Sequence, residues 1–250
     1  MIPLPGNSYS SGNSLRNYIE HYLKDGDYFD YRLNNSKGRQ EVERRRREAI
    51  SYSLRPLKKE AYILDIGSGS GKLASRLAGD GFNSFAIDLS SINLSLINHE
   101  KGIFPVLADG FILPWKDGSF DAVIMSSILE HCEVPQQMLK EAMRVLRSGG
   151  IAVVVTPFNE KIIYHQCIHC NKLTPSFAHL HSFDGEKLHG LLDESGLKVN
   201  SQIRFCNIGL DIAHINILLK PMHYHLWRLF DIIANWVLPR PEFILLTARK

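Results

Sequence analysis

The feature that most constrains the fold is an alternation of short apolar runs with amphipathic stretches, which extends from Ala61 to Phe158. The apolar runs have the length of buried strands and lack the strict alternation of half-exposed ones: AYILDI, FNSFAIDLS, IFPVLADG, FDAVIMSS and IAVVVTPF. The stretches between them, such as GKLASRLAGDG and PQQMLKEAMRVLRSGG, have helical periodicity and end in glycine. This order predicts an α/β fold with a doubly wound, mostly parallel sheet.

The length of 250 residues suits one large α/β domain with added segments. Residues 1–59 predict a polar tail and a helical N-terminal cover, and residues 60–250 the α/β domain. Two stretches interrupt that domain as insertions, a Cys/His-rich one at 159–181 and an apolar helical one at 209–240. LKVNSQIRFCNIG predicts a sixth strand between the insertions, and EFILLTARK a final strand after them.

Composition excludes several classes of protein. The formal net charge is only +3, so the bulk charge does not call for a nucleic-acid partner. Four cysteines, unevenly spread, do not form the pattern of a disulfide framework. The sequence shows neither a signal-peptide core nor an uncharged apolar stretch of about 18 residues. We expect a cytoplasmic protein with reduced thiols.

A glycine-rich turn, ILDIGSGSGKLA, follows the first predicted strand. Gly67, Gly69 and Gly71 permit a tight turn and close backbone approach to a ligand, and the next helix begins at once. A dinucleotide-binding turn would have a third glycine where this chain has Lys72. Asp65, just before the turn, would repel a pyrophosphate and suits an amino group instead.

The turn resembles motif I of the class I S-adenosylmethionine-dependent methyltransferases. The stretches LPWKDGSFDAVIMSSILEH and MLKEAMRVLRSGGIAVVVTP resemble the fourth-strand and fifth-strand regions of the same family, so the resemblance covers residues 60–158. Within the family it is closest to the small-molecule branch that contains the quinone-biosynthesis methyltransferases. It implies a Rossmann-like, seven-stranded sheet with an antiparallel last strand and S-adenosylmethionine as cofactor.

The resemblance also implies a set of cofactor-binding residues. The glycine loop would wrap the amino-acid part of the cofactor, Asp88 would take the ribose hydroxyls and Asp109 the adenine amino group. The alternative interpretation is that these acids serve strand-end turns. The full predicted set is Asp65, Gly67, Ser68, Gly69, Gly71, Asp88, Leu89, Asp109, Gly110 and Ser126.

Glu130 and His131 follow the fourth predicted strand and are the predicted catalytic residues, with His131 as a general base. The quinone O-methyltransferases carry a carboxylate three residues before a Glu-His pair, a set that resembles a divalent-metal site. Ser127 takes that position here, so this sequence departs from the metal-assisted pattern. The alternative is that Glu130 and His131 brace the helix that follows.

The insertion YHQCIHCNKLTPSFAHLHSF combines a C-x-x-C pair with an H-x-H pair. Two thiolates and two imidazoles make a tetrahedral zinc set, and similar insertions occur in some bacterial methyltransferases of this branch. The alternative is a reduced, metal-free loop whose histidines line the substrate cleft. The predicted structural zinc ligands are Cys167, Cys170, His179 and His181.

Two further segments allow a surface role. The run from Arg44 to Arg47 is surrounded by glutamates, which predicts a solvated helix face and, as an alternative, contact with an anionic substrate or membrane. Residues 223–238 are apolar except for one narrow stripe. They predict core or homodimer packing or, alternatively, an interfacial helix that places the protein at a membrane beside a lipid-like substrate.

Together these features predict methyl transfer from S-adenosylmethionine to a small-molecule acceptor, whether a metabolite, a lipid-like compound or a glycan-pathway intermediate. Two alternatives remain open. One is a tRNA or RNA methyltransferase that uses the arginine run and the zinc insertion as RNA contacts, although the net charge does not favour nucleic acid. The other is a non-catalytic, S-adenosylmethionine-binding subunit of a partner enzyme.

Overall fold

A computed structural model describes residues 36–98, 100–166, 171 and 173–250. The strands are β1 (Tyr62–Ile66), β2 (Asn83–Asp88), β3 (Ile103–Leu107), β4 (Phe120–Ser126), β5 (Leu146–Pro157), β6 (Tyr164–Gln166), β7 (Leu173–Pro175), β8 (Lys198–Asn207) and β9 (Pro241–Arg249). The α-helices are α1 (Lys37–Ser53), α2 (Lys72–Gly79), α3 (Ser91–Ser95), α4 (Pro135–Val145), α5 (Gly185–Glu194), α6 (Ile208–Ile212), α7 (Ile215–Leu218) and α8 (Tyr224–Val237). Short 3₁₀ helices span Leu129–His131 and Ser176–Ala178.

Seven of the described strands form one sheet in the order β3-β2-β1-β4-β5-β9-β8. The pairs from β3 to β5 are parallel, and β9 runs antiparallel to both of its neighbours. Apolar clusters cover both faces of the sheet, which explains why the strand sequences lack alternation. The predicted Rossmann-like, seven-stranded α/β fold is confirmed. The parallel strands all end at one edge, where the sequence places its site residues.

The cover helix α1 is attached to the domain by buried charge, which corrects the prediction of a solvated arginine face. Arg45 is fully buried, its guanidinium forms ion pairs with Glu41 and Glu48, and it lies over the ring of Trp227. The same guanidinium donates to the backbone oxygen of Leu219 at 2.8 Å. Glutamates spaced three and four residues away on the helix make this burial tolerable.

In helix α8 the polar side faces the protein and most of the apolar side faces outward, which is the reverse of the usual amphipathic arrangement. Its polar stripe faces the protein: Asp231 is fully buried, accepts the backbone N–H of Asn207 at 2.8 Å and pairs with Arg228. Trp227 is the buried apolar anchor. The remaining apolar side chains point outward, and Trp236 is 84% exposed. Among the described residues, no helix has both the length and the apolarity needed to cross a bilayer.

The insertion at 159–181 carries a small hairpin that the sequence analysis did not predict. Strands β6 and β7 pair antiparallel, with His165 opposite Thr174. The segment after β7 returns to the main domain, where the backbone N–H groups of Leu180 and His181 both donate to the carbonyl oxygen of Glu130. The insertion therefore lies against the residues that follow β4.

Candidate active site

The glycine turn joins β1 to α2 at the carboxyl edge of the sheet. Gly67, Gly69 and Gly71 all have positive φ, and a Cβ on Gly67 or Gly71 would collide with a neighbouring side chain. A Cβ on Gly69 would meet open space. Two of these positions therefore require glycine for packing as well as for conformation, whereas Gly69 requires it for conformation alone.

Asp65 lies beneath the turn, at the end of β1. It is 2% exposed, and its Oδ2 has no hydrogen-bond partner among the described residues. Burial, reinforced by the nearby negative charge of Asp88, raises the pKa of this carboxyl to about 7. A buried carboxylate oxygen without a partner is costly. A positively charged amino group would satisfy it, so the residues at this position fit the amino-acid end of S-adenosylmethionine.

Asp88 and Asp109 occupy the corresponding positions after β2 and β3. Asp88 accepts the backbone N–H of Gly69 and that of Ser90, both at 2.8 Å, and so ties the glycine turn to the second strand. Asp109 accepts the backbone N–H of Phe111 at 2.9 Å. Both side chains are partly exposed at the same edge as Asp65. Three acids at the ends of three adjacent parallel strands form one row beside the glycine turn.

The other predicted cofactor residues line or support this row. The buried hydroxyl of Ser68 has no hydrogen-bond partner within the part of the chain that the structure describes, and Leu89 and Ser126 are partly exposed. Gly110 is buried, and a Cβ there would meet Ile66 at 2.8 Å, so this glycine is required by packing.

The predicted catalytic pair lies on the 3₁₀ helix after β4. Glu130 is 1% exposed, and neither carboxylate oxygen forms a hydrogen bond of regular geometry with a described residue. Burial raises its pKa to about 8, although its own nearby backbone N–H, the charge of Arg46 and the Ser127 hydroxyl oppose the shift. His131 is partly buried and lies 3.3 Å, through Nδ1, from the carbonyl oxygen of Ala178. The pair contacts the insertion, because the carbonyl oxygen of Glu130 also accepts the backbone N–H groups of Leu180 and His181.

Arg46 is a site residue that the sequence analysis did not single out. It reaches from α1 across the carboxyl edge of the sheet, where it donates to the hydroxyl of Ser127 at 2.7 Å and pairs with Glu43. Ser127 has a φ of 54°, which is unusual for a residue with a side chain. In the sequence Arg46 is one of four consecutive arginines, and no local signal distinguishes it from the other three.

The four predicted zinc ligands are only partly placed. Cys167 and Cys170 lie outside the described residues. His181 donates from Nε2 to the carbonyl oxygen of Cys132 at 2.8 Å, and Nδ1 of His179 lies 2.5 Å from a carboxylate oxygen of Glu160. The four-ligand zinc set stays a prediction.

Comparison with known proteins identifies the central part of the chain. Residues 64–154 match the model of a methyltransferase domain. An uncharacterized methyltransferase of Mycolicibacterium vanbaalenii is 33% identical over 95 residues, 37% of each chain. The demethylmenaquinone methyltransferase of Clavibacter sepedonicus is 34% identical over 112 residues, 43% of this chain and 45% of that one. The chain therefore spans less than half the length of these curated relatives.

The fold comparison extends over nearly the whole chain. The Burkholderia thailandensis 1,6-didemethyltoxoflavin-N1-methyltransferase was solved with bound 1,6-didemethyltoxoflavin and S-adenosylhomocysteine. It superposes with a TM-score of 0.65 at 15% identity, covering 99% of this chain and 93% of that one. Residues 64–154 thus match a methyltransferase domain, and the chain has the Rossmann-like fold of this neighbour.

Proposed function

We propose that this protein transfers the methyl group of S-adenosylmethionine to a small-molecule acceptor. The observation that carries the proposal is the row of Asp65, Asp88 and Asp109 beside a turn whose middle glycine, Gly69, borders open space. S-adenosylmethionine supplies a sulfonium methyl group, and the protein contributes orientation and proximity. The buried carboxyl of Asp65 holds the amino group, and Asp88 and Asp109 take the ribose and the adenine.

The remaining predicted residues complete the proposed cofactor site. Backbone N–H groups of the glycine turn and the start of α2 face the amino-acid part of the cofactor. Glu130 and His131 stand at the acceptor end, beyond β4. There they manage the proton or the charge of the acceptor atom that receives the methyl group.

A lipid-like acceptor is the class that we favour. The outward face of α8 is formed by apolar side chains that are each at least 42% exposed: Leu226, Leu229, Phe230, Ile232, Ile233, Trp236 and Val237. Its C-terminal end lies at the site edge of the sheet, because Asn207, at the end of β8, donates to the carbonyl oxygen of Leu238. An apolar face of this extent marks a contact surface.

The charge around this face favours a membrane surface as the occupant. Between residues 218 and 240 the one acidic side chain is Asp231, and it is buried against the protein. Lys220 and Arg240 are exposed near the two ends of the helix. An apolar face with a terminal tryptophan and flanking cations is typical of helices that lie in the interface of anionic bilayers.

The RNA alternative finds less support. An RNA-binding protein would need the arginine run to form a basic surface. In this structure Arg45 is buried, and Arg44 and Arg46 are held in ion pairs with glutamates. A non-catalytic, cofactor-binding subunit differs from an enzyme in one measurable property, since it binds S-adenosylmethionine and transfers no methyl group.

Calorimetry with S-adenosylmethionine, followed by a labelled-methyl screen of cell extracts fractionated into lipid, aqueous and RNA pools, tests the proposal. We expect binding by the wild type, weaker binding by Asp88→Ala, and label in the lipid fraction. Full binding by Asp88→Ala would contradict the cofactor site. Binding without label in any pool would favour the non-catalytic alternative, and label in RNA would favour the nucleic-acid alternative.

Flotation with vesicles that contain anionic phospholipid tests the membrane contact separately. The wild type should co-migrate, and the double variant Trp236→Gln/Val237→Gln should not. Leu107→Gln is the matched control, because Leu107 is 61% exposed on β3, at the opposite edge of the sheet. A wild type that stays at the bottom would reject the membrane contact. A dimer that the double variant abolishes would assign the face to a second copy instead.

A further inference from the structure

Three side chains from two separate parts of the chain meet beyond the end of β4. Glu130 and His131 belong to the 3₁₀ helix after that strand, and His179 belongs to the insertion. Each offers one potential ligand atom, and these atoms all lie within 4.8 Å of one another. The rings of His131 and His179 meet edge to face, with centroids 4.7 Å apart. One carboxylate and two imidazoles therefore lie close enough together to share a metal ion.

The carboxyl of Glu130 lacks the partner that its burial requires. Both of its oxygens are inaccessible and form no hydrogen bond with a described residue. Arg46 is the nearby cation, but its terminal nitrogens bind Ser127 and Glu43, and it forms no ion pair with Glu130 among the described residues. A buried carboxyl group without a regular hydrogen bond or ion pair is destabilising, and a bound cation would satisfy both oxygens.

Backbone contacts hold the three side chains together before any ion binds. The carbonyl oxygen of Glu130 accepts the backbone N–H groups of Leu180 at 2.7 Å and His181 at 3.1 Å, which fixes the segment that carries His179. Nδ1 of His131 lies 3.3 Å from the carbonyl oxygen of Ala178.

Each imidazole of the cluster also has an oxygen partner of the kind found around metal ligands. The partner of His131 is the Ala178 carbonyl, and that of His179 is the carboxylate of Glu160. A carbonyl or carboxylate at one ring nitrogen orients a metal-binding histidine and raises the basicity of the other nitrogen.

We propose that Glu130, His131 and His179 bind one divalent transition-metal ion, with Zn²⁺ as the best fit. One carboxylate with two histidines is a three-ligand zinc set that leaves a coordination position open. The third ligand, His179, comes from the insertion. The position three residues before Glu130, where the quinone O-methyltransferases carry a carboxylate, is Ser127 here, and its hydroxyl accepts a hydrogen bond from Arg46. The site would be formed only when the insertion packs against the 3₁₀ helix.

The metal site does not depend on the acceptor class proposed above, and only the use of its open position rests on that proposal. There the ion would hold an oxygen of the acceptor and favour loss of its proton. His131 would then act as a ligand, which refines the general-base role predicted from the sequence. The set also competes with the predicted four-ligand zinc set, because both require His179.

Titration of the chelator-stripped, full-length protein with Co²⁺ and Zn²⁺ separates these arrangements. The comparison uses the wild type, Glu130→Gln, His179→Asn, the double variant Cys167→Ser/Cys170→Ser, and His189→Asn as the matched control, since His189 is an exposed histidine on α5. Thermal unfolding and S-adenosylmethionine binding, measured for each variant, establish that it is folded. They also keep a failure of the cofactor site distinct from a failure of the metal site.

We expect one equivalent of metal in the wild type, the double cysteine variant and His189→Asn, and at least about tenfold weaker binding in Glu130→Gln and His179→Asn. The Co²⁺ spectrum should lack a thiolate charge-transfer band. Absence of stoichiometric binding in the wild type would overturn the proposal, as would unchanged affinity in Glu130→Gln. Binding that is lost in the double cysteine variant and shows thiolate charge transfer would assign the metal to the four-ligand set.

Discussion

Replacement of Glu130 by glutamine should change how the stability of the metal-free protein depends on pH. Burial raises the pKa of this carboxyl from its ordinary value of 4.5 to about 8. The native state therefore holds the proton more tightly than the unfolded chain does. As the pH rises between these two values, ionisation of the unfolded chain favours unfolding, so the wild type loses stability over this range. Glutamine has a similar shape and does not titrate.

The size of the effect follows from the shift. A difference of one pKa unit corresponds to about 1.4 kcal/mol. Between about pH 5 and about pH 7.5 the difference in bound protons between the native and unfolded states integrates to about 2.3 pKa units. The free energy of unfolding of the wild type should therefore fall by about 3 kcal/mol relative to that of Glu130→Gln. Asp65, whose pKa is also raised, is present in both proteins, so its contribution cancels in the comparison.

Urea unfolding with chelator present, repeated across this pH range, measures the difference. Glu133→Gln is the matched control, because Glu133 is an exposed glutamate three residues along the chain. Its profile should run parallel to that of the wild type. Added Zn²⁺ should reduce the loss in the wild type, since a cation favours the ionised carboxylate. Parallel profiles for wild type and Glu130→Gln would refute the inference that this carboxyl is buried without a partner.

Three further substitutions test other parts of the structure. Asp65→Asn should weaken S-adenosylmethionine binding at least about tenfold in calorimetry, because the amide cannot pair with an ammonium group, and equal affinity would count against its role. Arg45→Met removes the buried cation that pairs with Glu41 and Glu48, leaves them only the partly exposed Arg44, and should cost about 3 kcal/mol in urea unfolding. Arg76→Met breaks an exposed ion pair and should cost less than about 1 kcal/mol. Gly71→Ala should lower the free energy of unfolding by about 1–3 kcal/mol, because φ is +71° and the new Cβ would lie 2.6 Å from the side chain of Ile97. The control Gly79→Ala, whose Cβ would meet nothing within 4 Å, should be neutral or stabilising by at most about 1 kcal/mol. Urea unfolding measures both.

The parts of the fold that the sequence predicted are those encoded by local pattern. The apolar run ending at Asp65 and the glycines after it predicted a strand and a turn, and both occur where expected. The helix expected to end at Gly149 ends instead at Val145, because the segment after it pairs with β4 from Leu146 onward. Tertiary pairing decided that boundary over the local glycine signal.

The orientation of α8 shows a limit of pattern analysis. The sequence identified a polar stripe and an apolar remainder, but amphipathicity does not say which side faces the protein. Asp231 is drawn inward by the backbone N–H of Asn207, which ends a strand and needs an acceptor. That demand arises from the tertiary fold, and it turns Trp236 outward.

The site residues that the sequence could not connect are distant in the chain. Proximity in the sequence groups His179 with the cysteines, whereas in the structure it lies against His131. The sequence does not distinguish Arg46 from its three neighbouring arginines, although it alone among them reaches Ser127 in the described structure. Contacts between separate elements of this kind leave no periodicity in the sequence.

The place of β9 in the sheet has a consequence for the order of folding. Among the described strands β8 has β9 as its one neighbour, so it can join the sheet only after a strand that is synthesised later. The parallel strands β1 to β5 involve shorter connections and can assemble first. Helix α8 lies between β8 and β9 in the chain, and its buried anchor Trp227 packs in one core cluster with Phe243 and Leu245 of β9. Until β9 joins the sheet, Trp227 would therefore stay uncovered beside an unpaired β8, which favours aggregation at this step.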